Sequence, residues 1–152
     1  AAVEITVRTV VGTRTTLAPT SGWPETLDGI RNLRAQDGAG NDVYYYGVVN
    51  PAATMEAYCG NACTAGIAYV APTNGAQLRA GLGLGYTGNG SADTMTHELG
   101  HQLGRQHAPC GRNVAGVDTA YPDKSGGIGV WGYDMRSKTL LDPAPRKDIM
   151  SY

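Results

Sequence analysis

The chain has 152 residues and a formal net charge of −1, from 12 Lys plus Arg against 13 Asp plus Glu. That balance excludes the basic footprint of a nucleic-acid binder and a polybasic membrane anchor, and no apolar run reaches the ~18 residues of a spanning helix. Phe is absent and Gly numbers 22, so a turn-rich protein of short elements is expected, not a helical bundle, and the length fits one domain.

Residues 3–11 open the chain with alternation: Val3, Ile5 and Val7 are apolar, Glu4, Thr6 and Arg8 polar. This is the period of a half-buried strand. Pro24 then stands near the start of a predicted helix, with Leu27, Ile30 and Leu33 on one face and Gly38 as its stop. Residues 42–49 read as a strand ended by Asn50-Pro51, and residues 66–71 as another closed by Pro72. Between them Cys59 and Cys63 stand four apart, close enough to bridge across a tight loop, with Cys110 left over. Three reduced, buried thiols are the alternative. The bridged reading predicts an oxidising, extracellular compartment for a secreted protein. Residues 78–86 alternate Leu with Gly and suit a sheet edge, where another backbone approaches closely. A helix follows at about 92–104, and a hairpin over Ile128–Asp134 and Thr139–Leu141 interrupts an irregular remainder. The order predicts an α/β (α+β) fold, a mixed twisted sheet with helices packed on it.

All three histidines of the chain fall within residues 97–107: His97, His101 and His107. Residues four apart stack on one helix face, so His97 and His101 present two imidazoles to one metal ion. Glu98 adjoins the first of them, placed to reach a metal-bound water. Gly104 can take the left-handed conformation that ends a helix, which lets His107 swing back as a third ligand. Three imidazoles with one open position describe a catalytic zinc site, where the ion acidifies its water; a structural site has four protein ligands.

His97 to His107 spells HExxHxxGxxH and so resembles the zinc signature of the metzincin metallopeptidases. Asp148-Ile149-Met150-Ser151-Tyr152 is similar to the Met-turn of that clan, in the form found in astacins and serralysins. Ala108 follows the third histidine, where the residue distinguishes subfamilies, and matches none of them, so the resemblance reaches the clan only. It implies a metzincin-like catalytic domain over 1–152. An N-terminal subdomain would run to about 107, and an irregular C-terminal one, truncated after its Met-turn, would fill 108–152. It also implies one catalytic zinc on His97, His101 and His107, Glu98 as general base and acid, and Met150 as an apolar floor. Tyr152 is then a candidate fifth ligand or oxyanion donor. The substrate, a protein or peptide, is expected to lie along the edge strand, here Gly81, Leu82, Gly83, Leu84 and Gly85, by strand addition. Some metzincins hold structural calcium, but Asp118, Asp123 and Asp134 match no calcium loop and read as turn residues. Trp131 and Tyr133 are read either as lining a specificity pocket or as packing. The expected activity is that of a secreted, monomeric zinc endopeptidase. The alternative is a catalytically silent zinc-bearing binding module of a larger secreted protein.

Overall fold

The computed structural model describes residues 3–110 and 115–151. Helix α1 (Trp23–Gln36) places Pro24 in its first turn and Glu25 at its positive end. It ends where expected: Gly38 takes φ 61° and the amides of Gly38 and Ala39 return to the carbonyls of Ala35 and Arg34. Strand β1 (Tyr45–Val49), the short helix α2 (Met55–Cys59), strand β2 (Gly66–Ala68), a 3-10 turn at Ala76–Leu78, strand β3 (Ala80–Leu84) and helix α3 (Asn89–Gln102) follow. The hairpin of β4 (Gly132–Asp134) and β5 (Thr139–Leu141) falls where the sequence predicts it.

The main sheet is small and mixed, in the order β1-β3-β2. β1 runs parallel to β3, with Tyr45 opposite Ala80 and Val49 opposite Leu84. β2 runs antiparallel to it, with Gly66 opposite Gly83 and Ala68 opposite Gly81. β3 is therefore the central strand, which corrects its expected place at the edge. Its Leu–Gly alternation has another cause. Leu82 and Leu84 face α1 and join Trp23, Leu27 and Tyr58 in the core, where full burial of a leucine is worth about 1.5–3 kcal/mol. The glycines let α3 press against the opposite face: a Cβ on Gly81 would lie 2.6 Å from the Gln102 side-chain amide, and one on Gly83 3.1 Å from Thr94 Cγ2. The close approach inferred from the glycines is real, but the neighbour is a helix.

Residues 3–11 form no strand. Val3, Ile5 and Val7 are 88, 78 and 89 % exposed, and the outer edge of β1 has no partner among the described residues. Alternation gives a segment two unlike faces; without a ladder of backbone hydrogen bonds it does not make a strand. The segment's side-chain tie is Arg8, whose Nε and Nη2 each donate to Asp37 at 2.8 Å.

A disulfide joins Cys59, the last residue of α2, to Cys63, and both pack on the main core. Helix α2 was not expected. Its cap is Thr54, whose Oγ1 accepts from Ala57 N at 3.1 Å. Trp131 and Tyr133, read as lining a specificity pocket or as packing, are 63 and 59 % exposed, so neither packs in a core. Asp118, Asp123 and Asp134 accept from Ala120 N, Ser125 N and Arg136 N respectively, as turn residues do.

Candidate active site

Helix α3 buries a polar stripe: His97, Glu98, His101 and Gln102 are all less than 8 % exposed. Buried polar groups need partners, and here they have specific ones. His97 Nδ1 donates to Ile149 O at 2.8 Å, His101 Nδ1 to Arg105 O at 2.7 Å, and His107 Nδ1 to Ala115 O at 2.6 Å. A carbonyl only accepts, so each Nδ1 carries the proton and each neutral ring keeps its lone pair on Nε2.

Those lone pairs converge. The candidate ligand atoms of the three histidines lie within 4.8 Å of one another, and His101 Nε2 stands 3.0 Å from His107 Nε2. Two lone pairs that close repel unless a cation lies between them. The donor set therefore fits a metal ion, and three imidazoles backed by main-chain carbonyls are consistent with zinc. Burial lowers the basicity of His97 and His101, against the pull of the Ile149 and Arg105 carbonyls, which keeps both in the neutral, ligating form.

The turn that brings in His107 follows from Gly104. Its φ is 85°. Gly104 N donates to His101 O at 2.8 Å and Arg105 N to Gly100 O at 2.9 Å, the paired bonds of a Schellman ending. The reversal aims Arg105 O at His101 and starts the chain back to His107. There the backbone pairs with 116–118: His107 N donates to Gly116 O and Asp118 N to His107 O.

Met150 is 4 % exposed and lies under α3; a Cβ on Gly100 would strike its sulfur. Asp148 Oδ1 accepts from Met150 N, Asp148 O accepts from Ser151 N, and Met150 O accepts from Ala108 N. This turn thus sits beneath the histidines and delivers Ile149 O to His97. Tyr152 lies outside the described residues.

Glu98 is 4 % exposed, and burial pushes its carboxyl up to about 7. A Cβ on Gly66 would lie 2.8 Å from Glu98 Oε1, so β2 passes directly over the carboxylate. Glu98, His101, His107, Gly66, Ile67 and Ala68 share a cleft of about 270 Å³. The register leaves one side of β2 open. Ala65 O accepts from Leu84 N and Tyr69 N donates to Ala80 O, so odd-numbered residues turn their main-chain groups to β3, while Gly66 and Ala68 turn theirs outward. The segment 81–85 cannot add a substrate strand, because β3 is paired on both sides. Trp131 and Tyr133 do not line the cleft.

Sequence reasoning missed four participants. Three are main-chain carbonyls, which carry no side-chain signal. The fourth is Gln102, whose amide, with its nitrogen toward Arg79 O and its oxygen toward Gly81 N at 3.2 Å each, ties the histidine helix to β3. Its spacing of four from Glu98 was the available signal.

A family model described as Peptidase M66 matches residues 38–152. No curated protein and no solved structure matches the chain.

Proposed function

The chain belongs to the Peptidase M66 family, and from that premise we propose that it is a zinc-dependent endopeptidase of the metzincin type, acting on a protein or peptide. The observation that carries the reading is the convergence of three Nε2 lone pairs, each fixed by a main-chain carbonyl on Nδ1. His97, His101 and His107 would hold the ion, with Met150 as the apolar floor of a Met-turn. Zinc, when bound, supplies Lewis acidity to the scissile carbonyl and to the attacking water.

The remaining steps belong to the chain itself. The outward main-chain groups of Gly66 and Ala68 pair with an extended substrate, which sets the scissile bond over the cleft. Glu98 accepts the water's proton on a carboxylate oxygen and then gives it to the departing amine. A carboxyl with a pKa near 7 is suited to both transfers at neutral pH. Tyr152 is placed by the resemblance to donate to the oxyanion of the tetrahedral intermediate. The Cys59–Cys63 disulfide supports an extracellular site of action.

The test compares wild type with Glu98→Ala on an unfolded protein substrate, with metal content assayed in both. Near one zinc per chain in each, with turnover lowered at least about 100-fold in the variant, is the expected result. Retained cleavage in Glu98→Ala would refute the mechanism. Zinc bound in both without cleavage in either would favour a binding module.

A further inference from the structure

A second cleft, of about 400 Å³, shares no lining residue with the histidine cleft. Arg34 of α1, Arg79 just ahead of β3, and Asn41, Thr73, Asn74 and Gln77 from the loops line it. Among the described residues no carboxylate does, in a chain whose acids outnumber its Lys and Arg by 13 to 12.

The two guanidinium groups are unusual. Arg34 is 5 % exposed. Its Nε donates to Val43 O at 3.2 Å and its Nη2 to Gly40 O at 2.6 Å, which engages two of the five N–H donors a guanidinium carries. Arg79 lies over the Tyr44 ring, 4.8 Å from its centroid. It donates from Nη1 to Asn41 O, while its Nε is buried with no acceptor among the described residues. Neither arginine takes part in the ion pairs of the described residues, which are Arg8–Asp37 and Arg31–Asp28. A cation held out of water without a counter-charge is costly. Carbonyl oxygens satisfy donors but do not neutralise charge.

We propose that this cleft binds a tetrahedral oxyanion, phosphate or sulfate. Guanidinium groups donate in pairs to such oxygens, and the side chains of Thr73, Asn74 and Gln77 supply further donors at the mouth. The donors come from three separate stretches of chain, at 34, 41 and 73–79. That suits an anion whose oxygens point in several directions better than a planar carboxylate. An anion here supplies the missing counter-charge to Arg34 and Arg79.

The test is calorimetric titration of the full chain with sodium phosphate and sodium sulfate, at ionic strength held constant with chloride. Wild type is compared with Arg79→Gln and with Asn74→Asp. Asn74 is exposed, so the second variant places a negative charge in the cleft without touching the core and stays informative if the first fails to fold. Saturable one-to-one binding in wild type, weakened at least tenfold in the variants, with acetate and citrate binding far more weakly, supports the site. Equal affinity in all three proteins would place the anion elsewhere, at the histidines for instance, and overturn the proposal. So would the absence of saturable binding in wild type, or acetate binding as tightly as phosphate.

Discussion

Glu98 combines a buried carboxyl with a proposed task, accepting a proton from water, that needs it ionised. Burial alone raises its pKa to about 7, above the ordinary ~4.3. Between those values the folded metal-free protein holds a proton that the unfolded chain has released. Stability from this group is therefore full below about pH 4.3 and is lost as pH rises through 7. His97 and His101, lowered by burial, work in the opposite sense below their ordinary ~6.5, so the wild-type curve alone mixes the two. Glu98→Gln removes the carboxyl and leaves the histidines. The difference in Tm between metal-free wild type and Glu98→Gln should shift against wild type as pH rises from about 4.3 to 7. A flat difference would mean that the carboxyl is solvated.

At the same scale, the histidines are legible because a metal-ligating side chain is itself a sequence signal, and a spacing of four states a helix face. Their supports at Arg105, Ala115 and Ile149 are not, since any residue type supplies a carbonyl.

Among the elements, the ending of α3 fixes where His107 can go. Gly104→Ala would put a Cβ 2.9 Å from Ala71 O at a φ of 85°. Backbone strain of this kind costs about 1–3 kcal/mol, and the displaced Arg105 carbonyl would loosen His101. Zinc affinity in a competitive chelator titration should fall about 10- to 100-fold, the usual cost of losing an outer-shell partner.

The seam between α3 and β3 gives a second element-scale prediction. Gly83→Ala drives its Cβ into the Tyr46 hydroxyl and also meets Thr94 Cγ2 at 3.1 Å and Ala65 O at 3.2 Å, with no room beside a central strand. Overpacking should lower the unfolding free energy by about 1–3 kcal/mol in urea. A neutral result would mean that the helix and sheet part easily. The same seam explains the one topological error of the sequence reading. Glycine reports that something comes close, but a helix side chain and a substrate backbone leave the same signature in sequence. Helix α1, with Pro24 and Gly38 as its punctuation, and the β4–β5 hairpin were readable because their signals are local. Helix α2, five residues long, carries too little period to see, and residues 3–11 alternate yet pair with none of the described strands.

In the whole molecule, the apolar core is confined to the contact of α1, α2 and the sheet. The chain beyond α3 is held to that body differently: β4 and β5 pair only with each other among the described strands. Among the described residues its ties to α3 include the bonds of His97 to Ile149 O and of His101 to Arg105 O and the seat of Met150 under Gly100. A metal ion on the three histidines would clamp this junction, contributing about 4 kcal/mol if it is present at 1,000 times its dissociation constant. Chelation should lower Tm and speed hydrogen exchange at the Ala108 and Ser151 amides, while Leu82 and Leu84 in β3 keep their protection. Uniform loss across both regions would show instead that the metal stabilises the fold as one unit.

The carbonyl behind His97 belongs to Ile149, 52 residues later in the chain. As the polypeptide leaves the ribosome, α3 is complete long before that carbonyl exists, and N-terminal parts fold first. A nascent chain that has reached only the hairpin already carries Glu98 and all three imidazoles, yet the acceptor for His97 Nδ1 is still to be made. In the order of synthesis the ligands thus precede the group that orients the first of them.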